Sequence, residues 1–255
     1  SVWEGNCLYH STVDVEYTQT PFYLTLWPEL LGLELDMWPH FTVSGEEVLG
    51  ERGKDSVIFM HDIGWVTDCD TMRYHHHMPV EENTNYILMS YAYWKRTGDK
   101  SLIVKHKDTI VKALRFLELS DTTGNGVPDE GMSNTIDDAS PALQFGKEQV
   151  YLAVKTLAAF WASCEMLEGL VESDQLAEYF LRARKILQRL HEQGWKDDHF
   201  VTVLDPAYEG VYDAWSQEFI PGPLPGWDAA HIYTTNGLVL LDMVGASLGL
   251  DHRKI

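Results

Sequence analysis

Carboxylates in two separate stretches are the side chains of this 255-residue chain best suited to chemistry. In SVWEGNCLYHSTVDVEY, at the start, Glu4 sits between Trp3 and Gly5, ten positions before Asp14. Far downstream, GVPDEGMSNTIDDAS supplies Asp137. Two carboxylates acting as a pair, one as nucleophile and one as acid, cut glycosidic bonds. Glu4 and Asp137 are the candidates, although spacing alone does not establish them. A nucleophile must be held ionised, whereas an acid needs its pKa raised by burial or by a neighbour such as Asp138. Each has a plainer reading. Glu4 would serve as an ordinary loop acid, and Asp137 as an N-cap acid for the helix that follows Ser140.

Three further groups of polar residues stand out. In FMHDIGW, His61 and Asp62 could be a turn pair, or a donor and an acceptor for substrate hydroxyls. The triplet His75, His76 and His77 reads as loop, because three consecutive residues do not readily put their rings on one ion. Asp121, Thr123, Asn125, Gly126 and Asp129 fall at positions 1, 3, 5, 6 and 9 of an EF-hand-like loop, with the carbonyl of Val127 available. Position 12 is Met132, so the bidentate glutamate is missing. A structural calcium ion on Asp121, Thr123, Asn125 and Asp129 is one reading; an Asx-rich turn that orders the approach to Asp137 is the other.

Composition narrows the partners. With 39 acidic against 19 basic residues the net charge is −20, the opposite of the basic footprint that nucleic acid or an anionic membrane requires. A small uncharged substrate such as a carbohydrate fits better, and the chemistry named above needs no redox cofactor. No run of eighteen apolar residues occurs, so no membrane span is expected. The chain opens on Ser1 without a basic, then apolar, leader, and reads as a piece of a longer protein. Cys7, Cys69 and Cys164 are odd in number and unpatterned, which leans toward a reducing, cytoplasmic setting rather than a disulfide framework.

The elements that must position these residues are helices. Apolar groups from Tyr17 to Trp38 recur at helical spacing, with a break or restart at Pro28. A helix over 82–97 with Gly98 as its cap, followed closely by one over 101–119, forms a helical hairpin. A long helix from about Ala142 carries Val150, Val154, Leu157, Trp161 and Cys164, and another carries Leu176, Tyr179, Ala183, Leu187 and Leu190. Residues 194–227 read as loop with a short extended piece at FVTVL, and Trp215 and Trp227 join Trp65 and Tyr74 as loop aromatics that either pack or stack on a sugar. A last helix is expected over about 232–248. Six helices with almost no alternating strand pattern make a single all-α domain. A bundle, a solenoid and a toroid all fit, and the long Asp- and aromatic-rich loops favour an (α/α)6 toroid with its site at one mouth.

WEGNCLYHSTVDV, FMHDIGW and NTIDDAS, the last running into QVYLAVKTLAAFWASCEML, resemble in that order the catalytic α/α barrel shared by glycoside hydrolase families 52 and 116. The likeness covers most of positions 3 to 168. It implies a six-hairpin glycosidase-like ring of which this chain has half the helices. It also implies a retaining exo-β-glycosidase, resembling β-xylosidases and β-glucosidases, with Glu4 as nucleophile and Asp137 as acid/base. Trp3, Asp14, His61, Asp62 and Thr135 carry over as sugar contacts. Ile136 stands where those families have Tyr, and Ser11 where they have Asn. Proteins described by similarity to fungal glutaminases share MPVEEN and TVDV, so an amidase is the alternative, and a non-catalytic carbohydrate-binding relative a third.

Overall fold

The structure is a computed structural model, and it describes residues 3–69, 77–136, 140–205, 210–213, 216–246 and 248. Strands β1 (Trp3–Glu4) and β2 (Tyr9–His10) lead into helix α1 (Val13–Leu26), and α2 (Pro28–Met37) follows after Trp27 alone. Pro28 restarts the helix as expected: it occupies the first turn of α2, where its missing N–H costs nothing. Next come β3 (Thr42–Ser44), the single turn α3 (Glu46–Leu49), β4 (Val57–Phe59), β5 (Gly64–Trp65) and β6 (Asp68–Cys69).

Helix α4 (Pro79–Thr97) ends on Gly98 in the left-handed region, φ 77°, where glycine carries no steric penalty. The helix expected over 101–119 is two, α5 (Ser101–Lys105) and α6 (Lys107–Leu119), which part at His106. The long helix expected from Ala142 is likewise two. The short α7 (Pro141–Phe145), capped by Ser140 Oγ accepting from Leu143 N, is separate from α8 (Val150–Met166). Then come α9 (Ser173–Arg189), the short strands β7 (Trp195–Lys196), β8 (His199–Phe200), β9 (Gly210–Asp213) and β10 (Glu218–Pro221), and α10 (Val239–Met243). The last helix is therefore much shorter than its apolar pattern implied. No helix among the described residues is long and apolar enough to cross a membrane.

The fold is mostly helical, as expected. Among the described residues ten short strands form four small antiparallel sheets, and the largest runs β1-β2-β5-β6. These strands are two to four residues long, too short for a period of two to register in the sequence.

At the centre, α4 packs against α1, α2, α6, α8 and α10, and α8 packs against α4 and α9. Every residue of α4 from Pro79 to Ala92 is buried. A helix enclosed on all sides should be apolar, yet α4 opens with Glu81, Glu82, Asn83, Thr84 and Asn85. Asn83 explains itself structurally, since its Oδ1 accepts from Phe59 N at 3.0 Å and its Nδ2 donates to Val57 O at 2.9 Å, tying α4 to β4. Above it Phe59 and Tyr86 stack with centroids 4.1 Å apart, and Tyr86 Oη donates to Leu35 O at 3.0 Å.

On α1, Glu16 is fully buried. Burial first, then the Glu34 carboxylate, push its pKa up from 4.5 to about 7. A raised carboxyl contributes its full share to stability below its unfolded pKa and loses it as the pH climbs through the folded value. Glu16→Gln should therefore gain on the wild type between pH 5 and pH 8, by a difference on the order of 3 kcal/mol. Urea unfolding at the two pH values measures it, and a gap between the proteins that does not change with pH would refute the assignment.

Candidate active site

Backbone pairing brings the start of α1 against the His61–Gly64 loop: Val13 N donates to His61 O and Ile63 N to His10 O, each at 3.1 Å. Asp62, buried, holds both the loop and the imidazole. Its Oδ1 accepts from Gly64 N at 3.0 Å and its Oδ2 pairs with His61 Nδ1 at 3.0 Å. Because a carboxylate only accepts, Nδ1 carries the proton and Nε2 is turned toward the opposite side. There it lies 4.0 Å from Glu4 Oε2 and 3.9 Å from Asp14 Oδ1. Both of those carboxylate oxygens are buried and have no hydrogen-bond partner among the described residues. The other oxygen of Asp14 accepts from Thr135 Oγ1 at 2.7 Å.

Thr135 links this recess to the centre of the fold. Its N–H donates to Glu81 Oε2 at 2.9 Å. The second oxygen of Glu81 accepts from Tyr151 Oη at 2.5 Å and from Lys155 Nζ at 3.0 Å. Lys155 Nζ also donates to Asn85 Oδ1 at 2.6 Å, and Asn85 Nδ2 to Glu82 Oε2 at 3.0 Å. The ammonium lies 4.3 Å from the centre of the Tyr17 ring and 4.9 Å from that of Tyr151. Such a cation, held by a carboxylate, an amide and two ring faces, has its lost hydration replaced.

Acids outnumber cations here, and the pKa directions follow. Burial and then Asp14 raise Glu4, while His61 pulls it down. Burial, Asp14 and Glu81 raise Glu82 well above an ordinary glutamate, with Asn85 and Lys155 opposing. Tyr9, which meets the His61 ring edge-on at 5.3 Å, is raised by burial and by Asp62. Glu82 thus supplies a buried carboxyl inclined to keep its proton, and Glu4 a partly open one that holds its proton more tightly than an ordinary glutamate.

Of the sequence candidates, Glu4, Asp14, His61, Asp62 and Thr135 come together. Asp137 lies outside the described residues, as do Tyr74, His75, His76 and Trp215. Trp3 stands apart from them. In β1 it pairs with His10 and packs edge-on against that ring at 5.0 Å. Alternation along the strand turns it to the opposite face from Glu4. His77 pairs with Glu47 at 3.1 Å, and Trp227 packs beside the small cluster of Ala142, Val203 and Leu224.

In the 121–129 loop the carboxylate oxygens are already engaged. Asp121 accepts from Gly124 N at 2.7 Å, Asn125 N at 3.1 Å and Gly126 N at 2.7 Å. Asp129 accepts from Thr122 N and Thr122 Oγ1, both at 2.6 Å. Thr123 Oγ1 turns back to Asp121 at 3.4 Å, and Asn125 Nδ2 reaches Glu148 at 2.6 Å. This is the hydrogen bonding of an Asx-rich turn. Among the described residues no group of three or more His, Cys, Asp or Glu is arranged to hold a metal ion.

Sequence reasoning missed Glu81, Glu82, Asn85, Tyr151 and Lys155. A signal existed: Lys155 is the one charged residue in the fifteen positions from Val150 to Cys164, and charged side chains are rarely buried unless paired.

With that geometry in view, the comparison with known families is informative. The sequence model of the family described as the glutaminase A six helical-hairpin domain matches residues 6–220. The span takes in Asp14, His61, Asp62, Glu81, Thr135 and Lys155, while Glu4 falls just ahead of it. No curated protein matches.

Lys155→Met leaves Glu81 buried without its cation and should cost about 3–5 kcal/mol. Adding Glu81→Leu should restore much of that loss, because the pair then leaves together. Chemical denaturation of the two single variants and the double variant measures the coupling; strictly additive losses would show that the two charges do not support each other.

Proposed function

The chain belongs to the glutaminase A six-helical-hairpin domain family, and on that premise we propose that it is a hydrolase of a small, uncharged, hydroxyl-bearing substrate. The observation that carries this reading is the recess itself. Two buried carboxylate oxygens, Glu4 Oε2 and Asp14 Oδ1, lie about 4 Å from one imidazole nitrogen and bond to nothing among the described residues. A substrate hydroxyl placed between them would donate to a carboxylate and so replace the missing partner.

In this reading the bond cut is a terminal β-glycosidic one, within the (α/α)6 toroid that the sequence resemblance implies. Glu4 attacks the anomeric carbon as the carbon–oxygen bond to the leaving group breaks, and Asp137 gives that oxygen a proton. Asp137 then takes a proton from water, whose oxygen attacks the same carbon and releases Glu4. Asp14, His61, Asp62 and Thr135 hold the sugar and fix the pocket. Glu4 must be ionised to attack, so activity falls as the pH drops through its raised pKa. Asp14→Asn removes the second-largest cause of that rise. It should therefore shift the acid limb of kcat/KM to lower pH, and an unmoved limb would assign that limb to another group.

Amide hydrolysis is the second reading. The family's description as a glutaminase A domain favours it, as does Thr135, whose hydroxyl is held by Asp14 in the manner of an activated nucleophile. One set of assays separates the two. Aryl β-xylosides or β-glucosides should be hydrolysed by the wild type, Glu4→Ala should abolish turnover, and a 2-fluoro glycoside should label Glu4. Asp137→Ala should lose on the order of 10²–10⁴-fold on substrates with poor leaving groups, but little on those with acidic phenols, and azide should rescue it. Ammonia release from glutamine that needs Thr135 and survives Glu4→Ala would replace the glycosidase reading with the amidase.

A further inference from the structure

The line of side chains that begins at Glu4 continues across the sheet as aromatic surface. The antiparallel register sets Glu4 opposite Tyr9, and Tyr9 opposite Trp65. Residues directly opposite in antiparallel strands project from the same face, so Glu4, Tyr9 and Trp65 form one row over β1, β2 and β5. Successive strands lie about 4.8 Å apart, which puts the Trp65 backbone about 10 Å from that of Glu4. The near end of the row is the recess, where the Tyr9 ring touches His61.

Trp65 is held in place and left open. It is 46% exposed, while its Nε1 donates to Cys7 O at 2.8 Å and ties the indole to the turn between β1 and β2. The strand beneath it depends on its neighbour: Gly64 has φ 154°, and a Cβ there would come within 1.9 Å of Asp68 O. An indole fixed by its N–H, with much of its surface in solvent, has a polar tip that is satisfied and an apolar body that is not.

We propose that Tyr9 and Trp65 form a leaving-group subsite that stacks a ring-bearing aglycone, either a second sugar or an aryl group. The inference rests on the glycosidase reading above and gives it a substrate class: β-glycosides with a ring beyond the scissile bond, in preference to those with a small aglycone. In-line attack sends the leaving group away from the nucleophile, and this row leads away from Glu4. Asp68, paired with Trp65 in β6 and exposed, marks the far end of the row.

The test compares wild type, Trp65→Ala and Trp65→Phe on a matched pair of substrates, a phenyl β-glycoside and the glycosyl fluoride of the same sugar. Xylose and glucose versions are both used. Trp65→Ala should lose roughly tenfold in kcat/KM on the phenyl glycoside and stay within about twofold on the fluoride. Trp65→Phe, which keeps a ring, should recover most of the loss. An equal loss on both substrates, or none on the phenyl glycoside, overturns the subsite while the glycosidase reading stands. Wild type inert toward all four compounds instead defeats the glycosidase reading. The subsite is then judged by saturation-transfer NMR with the phenyl glycosides. Their phenyl protons should receive the strongest saturation from wild type and lose it in Trp65→Ala. Saturation that is absent in wild type, or unchanged in the variant, overturns it.

Discussion

The buried ion pair of Glu81 and Lys155 is the interaction on which the rest of this structure depends. Both side chains are 1% exposed and 3.0 Å apart, one near the start of α4 and one in the middle of α8. Removing two charges from water costs several kcal/mol each, and attraction offsets that only when every remaining donor and acceptor is also satisfied. Here Tyr151, Asn85, the Thr135 N–H and two aromatic faces do so. The central helices can therefore pack at one rotation and one register, because any slip would strand a charge in the core. Gly237 belongs to the same requirement. A Cβ there would come within 2.9 Å of the Lys155 side chain, so the closing turn at 236–238 reaches α8 only without one.

From this pair the order spreads outward to the recess. Glu81 holds the Thr135 backbone, Thr135 holds Asp14, and Asp14 faces His61, whose orientation Asp62 sets from the other side. The recess is thus braced by four segments that are remote in sequence, and its open side carries Glu4. Preorganisation of this kind lets a site leave two carboxylate oxygens unbonded without the loop collapsing onto them. The excess of acid has a second effect. With Lys155 the cation at the centre, the burial cost falls on the carboxyls less well partnered, and Glu82 and Glu4 are displaced toward their protonated forms.

Local sequence signals were reliable where the physics is local. The restart at Pro28, the cap at Gly98 and the turn of the 121–129 loop each follow from one or a few residues acting on their own backbone. Longer apolar runs were less reliable. The pattern before Val150 read as continuous helix, but Glu148 has φ 52° and its carboxylate is drawn off to Asn125 and Arg189, so the helix starts afresh beyond it. In the same way, of the run read as helix over 232–248, the described residues form α-helix only at Val239–Met243, preceded by one 3-10 turn at Asn236–Leu238 and by the local turn that Thr234 N closes on His231 O. Apart from the extended piece at FVTVL, seen at Phe200 in β8 and in the bridge from Val203 to Gln149, the short strands carried no sequence signal, since pairing partners rather than propensity make them.

The sequence by itself determined that the chain is acidic and mostly helical, and it singled out Glu4 and Asp137, with Trp3, Asp14, His61, Asp62 and Thr135, as candidates for its chemistry. Residue type and spacing suffice for the helices and the charge, because helix periodicity and the proton chemistry of side chains are properties of short stretches, whereas the candidate residues also needed the family resemblance that orders the motifs carrying them. Only the tertiary structure decided which face each residue presents and which partner it meets. Trp3 and Glu4 are adjacent in the chain yet lie on opposite faces of β1, because strand pairing with Tyr9 and His10 sets the pleat. Glu81 and Lys155, which the sequence reading passed over, lie at the centre of the fold because the packing of α4 on α8 brings residues 74 positions apart within hydrogen-bonding distance. No local rule reports a contact of that range: its free energy appears only once both helices are placed.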